Sequence, residues 1–143
     1  MIIGNGVDII DNKRIEKSLK IKGFKKRLFT LNEINQSKKY RYKTNYFAKR
    51  FAAKEAFVKS IGTGFRNNIN FNDIEIYNNK KGSPKIKISQ KIKDILKKKF
   101  KLKNYDIHLS LSDEKNHSIA FVILNRKKYR QSTDIKTFCW YYT

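Results

Sequence analysis

Apolar and polar side chains alternate along residues 2–10 with the two-residue period of a strand. One side of this predicted strand is apolar, whereas the other carries two glycines and a carboxylate. The two sides are Ile3, Val7 and Ile9 against Gly4, Gly6 and Asp8. Asp8 therefore shares its face with two positions that have no side chain, so that the strand is open around the carboxylate.

Two short helices are predicted to follow this strand. Asp11 or Asn12 has the polar side chain that caps a helix, and the first helix would then run through a basic stretch until Gly23 ends it. A second short helix is predicted near residues 31–40. These segments connect the strand to the main helix of the chain.

The main helix is predicted to begin with Thr44 or Asn45 as its cap. It runs to Ser60 or Ile61, and Gly62 is its stop. Phenylalanines form one apolar stripe, and alanines fill most of the other directions. Few directions on this helix therefore face water.

The second half of the chain predicts two hairpins with a helix between them. Strands at residues 73–77 and 84–88 flank a turn-rich segment, and Ser89 then caps an amphipathic helix. Strands at 106–112 and 117–124 are joined by a tight connection. This order of elements predicts an α+β domain with a mainly antiparallel sheet packed on the long central helix.

The length of 143 residues fits one domain, which we place at residues 1–125, with an extension of unassigned structure at 126–143. Cys139 is the only cysteine, so no intramolecular disulfide is possible and a reducing, cytoplasmic location is expected. The longest wholly apolar run, residues 119–124, is too short to cross a membrane. We expect neither a signal peptide nor a membrane partner.

A formal net charge of +22 indicates a polyanionic partner, either nucleic acid, an acidic protein or a membrane surface. The basic and aromatic stretch at residues 38–51 supports a nucleic-acid-binding module. The excess of lysine, together with many asparagines and isoleucines, is also what an AT-rich coding sequence produces. The charge alone does not choose among these partners. Asp8 and Glu55 would repel the phosphates of a nucleic acid without a metal, so we expect no nucleic-acid partner.

Glu55 is the residue of the main helix that calls for explanation. It lies beside the apolar stripe, where an unpaired carboxylate would be costly to bury. Lys59, four residues further on, is its ordinary helical partner. However, Asp8 on its cleared strand face allows a second interpretation, in which both carboxylates hold a divalent cation. Magnesium commonly takes one or two protein carboxylates and leaves its other positions to water and substrate phosphates.

A glycine-rich segment, Gly62-Thr63-Gly64, follows the main helix and is a candidate phosphate loop. Its position argues against this role, because the dipole at a helix C-terminus repels anions. Nearby cations must then outweigh the dipole. The candidates are Arg50, Lys54 and Lys59.

Three segments together resemble one known family, the holo-acyl-carrier-protein synthases, which are small bacterial-type 4'-phosphopantetheinyl transferases. They are "GNGVDIIDNKRIE" at residues 4–16, "FAKRFAAKEAFVKSIGTG" at 47–64 and "HLSLSDEKNHSIAFVIL" at 108–124. The resemblance covers roughly residues 1–125, and its motifs lie at the spacing that the family has.

The resemblance implies a magnesium-dependent enzyme of fatty acid biosynthesis. Such an enzyme moves the phosphopantetheine arm of coenzyme A onto a serine of apo-acyl carrier protein and releases adenosine 3',5'-bisphosphate. Asp8 and Glu55 would be the metal ligands, and Lys59 would bind the diphosphate or assist proton transfer. Glu55, Lys59 or a metal-bound water would take the proton of the serine, and the sequence leaves this choice open.

The resemblance also implies a homotrimer with active sites between subunits, where the polar side of "HLSLS", including Ser112, would contact coenzyme A. Arg14 matches the family motif and predicts a docking face for the acidic carrier protein. From their charge we add four basic residues to this face: Lys13, Lys17, Lys20 and Arg27. Asp113 stands where the family usually has histidine. This departure supports one alternative, an inactive homologue that binds carrier protein without modifying it.

Overall fold

The computed structural model describes residues 1–128, so the predicted extension lies almost wholly outside the described residues. Its helices and strands, in chain order, are β1 Ile2–Asp11, α1 Asn12–Leu19, α2 Phe24–Leu28, α3 Leu31–Ser37, α4 Lys43–Ile61, β2 Ile74–Asn78, β3 Pro84–Ile88, α5 Gln90–Phe100, β4 Tyr105–Asp113 and β5 His117–Arg126. A single 3₁₀ turn, Phe71–Asp73, precedes β2. Within the described part of the chain, no helix is both long and apolar enough to cross a membrane.

The strands form two antiparallel sheets. One has three strands in the order β1-β5-β4, and the other is the two-stranded hairpin of β2 and β3. Helix α4 packs against the three-stranded sheet and contributes more residues to the buried core than any other element of residues 1–128. The predicted α+β class, with antiparallel sheets around a long central helix, is confirmed.

Two glycines of β1 allow α4 to lie directly on the strand. A Cβ atom built on Gly6 would lie 1.9 Å from the carbonyl oxygen of Ala56, and one on Gly4 would lie 2.0 Å from that of Ser60. Any side chain at these positions would push the helix away. The cleared strand face seen in the sequence is therefore the face that meets the helix.

The first helices differ in part from the prediction. Asp11 caps α1 by accepting a hydrogen bond from the backbone of Lys13, but the helix ends at Leu19 rather than at Gly23. Gly23, with a φ of 83°, instead precedes the unpredicted α2. The next helix, α3, was predicted; Thr30 caps it in a reciprocal box with Glu33.

Helix α4 begins at Lys43, slightly before the predicted caps, and no side chain caps its first turn. Asn45 therefore lies inside the helix, and its amide is free to bond Asp113 instead. The other end follows the prediction, because Gly62 closes the helix in the left-handed conformation with a φ of 71°.

The face of the three-stranded sheet that points away from α4 is apolar and open. Its central rows pair Val7 with Phe121 and Ile9 with Ile119, and all four side chains are exposed, Ile9 to 61%. We call these four residues the outer sheet face. Ser110 and Ser112 of β4 continue the same rows. The apolar side of β1 thus faces outward in the single chain, and the glycine side faces the core.

Candidate functional site

The site is built where β1 passes under the C-terminal half of α4. Asp8 lies opposite the fully buried Ala120, so its carboxylate points toward the helix. The Lys59 ammonium donates to Asp8 Oδ1 and to the backbone carbonyl of Val7, both at 3.0 Å. Lys59 therefore pairs with the carboxylate of the strand rather than with Glu55 of its own helix.

Glu55 is half-buried beside this pair, as its sequence position predicted. Burial raises the pKa of the Glu55 carboxyl, the nearby Asp8 charge raises it further, and Lys59 lowers it in part. Both carboxylates thus draw on one ammonium, which is hydrogen-bonded to Asp8. The site has less positive charge than its two acids require.

A divalent cation would supply the missing positive charge. Carboxylate oxygens are hard ligands of the kind that magnesium prefers, and two of them suffice when water and a phosphate supply the rest. Among residues 1–128, no cluster of three or more histidine, cysteine, aspartate or glutamate side chains is present. Asp8 and Glu55 together are accordingly the donor set that a metal would meet at this site.

The glycine-rich segment follows directly from the end of α4. Gly62 and Gly64 both have positive φ, at 71° and 57°, while the buried Thr63 donates its hydroxyl to the carbonyl of Gly64. Lys99, in the last turn of α5, donates to the carbonyl of Ile61 at 3.3 Å. A cation thus lies at the helix end where one was required, although it is not a residue that the sequence argument had named.

Lys54 does not reach this site. Its side chain is wholly buried, and its ammonium donates to Glu33 Oε1 at 2.7 Å and to the carbonyls of Leu28 and Phe71 at 2.6 and 3.1 Å. All three protons are used, so none remains for a phosphate. Burial lowers the pKa of Lys54, and the Glu33 carboxylate opposes this shift.

Arg50 is also buried and faces a different part of the molecule. Its guanidinium lies 3.5 Å from the ring centroid of Tyr46 and donates to Asn78 Oδ1 at 3.0 Å, while its Nε has no hydrogen-bond partner among residues 1–128. It lines a cavity of about 470 Å³ between α3, α4 and the small hairpin, together with Glu75 and Tyr40. The structure therefore does not bring Arg50 to Asp8 and Glu55.

The closing hairpin places its polar residues in two locations. Ser112 lies on the same side of the sheet as the outer sheet face. Within one chain it is therefore on the opposite side of the sheet from Asp8. Asp113 accepts a hydrogen bond from Asn45 at 2.7 Å and forms an ion pair with Lys49 at 3.3 Å. The aspartate that departs from the family pattern therefore has two partners on α4.

The predicted docking residues are all exposed. They lie on α1, in the turn that follows it and on α2, and they are Lys13, Arg14, Lys17, Lys20 and Arg27. The apolar side of α1 is buried through Ile15. The outward side of this region is accordingly a basic surface next to the strand that carries Asp8.

Comparison with known proteins places this arrangement in a family. Residues 4–122 match the model of the 4'-phosphopantetheinyl transferase superfamily. A holo-[acyl-carrier-protein] synthase of Pelagibacter ubique is 53% identical over 126 residues, which cover 88% of this chain and 98% of that protein. The similarity thus extends over nearly the whole of the relative.

Solved structures give the same result. The holo-[acyl-carrier-protein] synthase of Neisseria meningitidis matches with a TM-score of 0.78 and 34% identity, covering 88% of this chain and all of that one. The Bacillus anthracis holo-(acyl-carrier-protein) synthase, in complex with CoA (3',5'-ADP), matches with a TM-score of 0.73 and 37% identity, covering 89% and 99%.

Proposed function

The chain belongs to the 4'-phosphopantetheinyl transferase superfamily, and we propose that it transfers the 4'-phosphopantetheine arm of coenzyme A to a serine of an apo-acyl carrier protein. The products are holo-acyl carrier protein and adenosine 3',5'-bisphosphate, and the reaction serves fatty acid biosynthesis in the cytoplasm. The observation that carries this proposal is the convergence of Asp8, Glu55 and Lys59 in a chain that resembles holo-acyl-carrier-protein synthases over most of its length.

The reaction forms a bond between the serine oxygen and the β-phosphorus of coenzyme A and breaks the bond from that phosphorus to the bridging oxygen. Asp8 and Glu55 would hold magnesium, which would supply positive charge against the diphosphate. Lys59 contacts the diphosphate from the open side of the site, since half of its side chain is exposed. Its ammonium offsets the negative charge that develops on the leaving phosphate.

The serine must also lose a proton. We assign Glu55 to accept it, because its half-buried carboxylate lies beside Asp8 and Lys59, where the diphosphate would bind. Lys59, as the ammonium that pairs with Asp8, has no free electron pair to offer. Glu55 is thus the proton acceptor in our proposal.

The acid-to-amide variant Glu55→Gln tests the site. We would follow the mass of apo-acyl carrier protein incubated with coenzyme A, magnesium and either the wild type or the variant, with EDTA samples in parallel. The wild type should add one phosphopantetheine mass in magnesium only, and Glu55→Gln should add none while keeping its fold.

A folded wild type that modifies no carrier protein would contradict the proposal and favour the inactive homologue. Asp113→His would then be the variant to test, because Asp113 is the departure from the family motif and is bonded to Asn45 and Lys49. A gain of activity in that variant would assign the defect to this position.

We further propose that the protein is a homotrimer joined through the outer sheet face. Val7, Ile9, Ile119 and Phe121 form a contiguous exposed apolar patch, which a soluble single chain rarely presents without a partner. Ser112 lies on the same side of the sheet, where a neighbouring subunit would bring it to a substrate held between chains.

Light scattering would measure this assembly. The wild type should have three times the chain mass of 17.0 kDa, and Phe121→Lys should shift it toward a single chain. Leu31→Lys, at a residue that is 75% exposed on α3, is the matched control and should leave the mass unchanged. A wild type that runs as a single chain at high concentration would contradict the proposal.

The acidic carrier protein docks, in our proposal, on the basic surface around Arg14. Arg14→Glu should raise the KM for carrier protein more than the KM for coenzyme A, because the surface contacts only the protein substrate. Lys97→Glu makes the same change of charge at an exposed position of α5 and should affect neither value as strongly. An equal effect of Arg14→Glu on both substrates would show that the docking surface lies elsewhere.

A further inference from the structure

The Lys59 ammonium pairs with a carboxylate that a metal would bind. Its ammonium lies 3.0 Å from Asp8 Oδ1 and also donates to Val7, although Glu55 is nearer to it along the chain. The Asp8 side chain is 15% exposed and that of Lys59 is 51% exposed. The ammonium therefore rests on the acid but is not enclosed there.

We propose that Lys59 is a placeholder cation that neutralises Asp8 in the metal-free protein and leaves it when a divalent cation binds. This inference rests on the proposed function, since it concerns the same metal site. It assigns to Lys59 a competition with the metal, in addition to its contact with the diphosphate.

The charges at the site carry this inference. Two carboxylates and one ammonium leave a net charge of −1, and a dication with the ammonium still on Asp8 would place two cations on one acid. Coulomb repulsion then favours a position of Lys59 further from Asp8. The flexible and half-exposed lysine side chain can make this movement at low cost.

The contrast with Lys54 shows that the movement is specific to Lys59. Lys54 has three acceptors in a closed pocket and no exposed surface, so it cannot exchange its partner without unfolding its surroundings. Lys59 has two acceptors and faces solvent on one side, where the diphosphate would bind. A phosphate oxygen can therefore replace Asp8 as its partner.

Coupling between metal and substrate follows from this exchange. Coenzyme A attracts Lys59 toward its diphosphate, so that Asp8 loses its ion-pair partner. Because Asp8 is then free, metal binding becomes stronger. By linkage, the metal strengthens coenzyme A binding by the same factor. Part of this coupling depends on Lys59. It should decrease when Lys59 cannot form an ion pair.

The test is a calorimetric titration of magnesium into the full-length protein without coenzyme A. Lys59→Met should bind magnesium about threefold to tenfold more tightly than the wild type, because one competing charge is gone from a partly screened site. Lys59→Arg keeps the charge and should bind like the wild type. Circular dichroism would establish that each variant is folded.

Two other lysines serve as controls. Lys91 forms a comparable ion pair with Asp73, at 3.3 Å, with side chains 43% and 15% exposed, and Lys91→Met should leave magnesium affinity unchanged. Lys99→Met removes a charge at the end of α4 that bonds a carbonyl rather than Asp8. If Lys99→Met tightens magnesium binding as much as Lys59→Met does, the loss of any nearby positive charge explains the effect, and the placeholder proposal is wrong.

A second titration, at saturating coenzyme A, completes the test. The advantage of Lys59→Met should disappear there, since Lys59 has already left Asp8 in the wild type. If Lys59→Met, without coenzyme A, binds magnesium as tightly as the wild type or more weakly, the placeholder proposal is wrong. That result would not contradict the proposed metal site. Absence of magnesium binding in all folded proteins, with and without coenzyme A, overturns both.

Discussion

Two of the lysine–carboxylate pairs of helix α4 are similar in length but differ in burial and in their surroundings. Lys54 meets Glu33 at 2.7 Å with both side chains wholly buried, whereas Lys59 meets Asp8 at 3.0 Å with its own side chain half exposed. The two lysines are five residues apart on one helix. They therefore turn their ammonium groups to different sides of it.

The two pairs differ in whether the charged groups around them all have partners. Glu33 also accepts hydrogen bonds from the backbones of Thr30 and Ile76, so the buried pair connects α3, α4 and β2 with every group used. Beside Asp8, by contrast, Glu55 has a raised pKa. A saturated pair stabilises the fold, and an unsaturated one can bind a ligand.

Breaking the buried pair should have the largest effect on stability. Lys54→Met leaves the Glu33 carboxylate buried without its counter-charge, and we expect a loss of about 3–5 kcal/mol in the free energy of unfolding. Urea denaturation would measure it. A loss below that of Lys59→Met would mean that the two pairs do not differ as described.

Gly6→Ala should come next, because it separates the strand of Asp8 from the helix of Lys59. The added methyl group meets the carbonyl of Ala56, and forcing the two elements apart should cost about 1–3 kcal/mol. The same variant should also weaken magnesium binding by displacing Asp8. Gly82→Ala, where no atom lies within 4 Å, is a control for contact, although its φ of 82° adds backbone strain.

Lys59→Met should have a much smaller effect on stability, at most about 1 kcal/mol, as is typical of exposed ion pairs. Its effect should instead be on turnover and on the KM for coenzyme A. Denaturation and steady-state kinetics on the same preparation would compare the two effects. A variant that unfolds like Lys54→Met would contradict the assignment of Lys59 to the open site.

The smallest expected change concerns pH. The folded-state pKa of Glu55 lies above its ordinary value of 4.5, so the native state holds a proton that the unfolded state releases. Without metal, the wild type should therefore lose stability relative to Glu55→Gln as pH rises from about 4.5 through the folded-state pKa. Denaturation midpoints of both proteins across this range would measure it, and an unchanged difference would mean that Glu55 is not perturbed.

The sequence predicted most of the helices and strands and singled out Asp8 and Glu55, because both depend on local pattern. Alternation located β1, apolar spacing located α4, and the two glycines beside Asp8 marked the strand face that meets the helix. The short α2 was missed, since five residues after a glycine leave too little periodicity to distinguish a helix from a turn.

The roles of the basic residues were harder to predict, since they depend on distant parts of the chain. Lys54 and Lys59 look alike in sequence, but the partner of Lys54 lies 21 residues away and that of Lys59, on β1, lies 51 residues away. Lys99 contacts the end of α4 from another helix, and no local pattern distinguishes it from its neighbouring lysines. Arg50 was buried by contacts with a hairpin that follows it.

The outer sheet face has a consequence for how the folded state responds to dilution. In the proposed homotrimer, the apolar rows of Val7 and Ile9 are covered by other copies, so association contributes to the free energy that holds β1 in place. Unfolding would then release separate chains, and the melting temperature would rise with protein concentration by mass action. Because β1 carries Asp8, the number of copies in the cell would also set how much of the catalytic site is assembled.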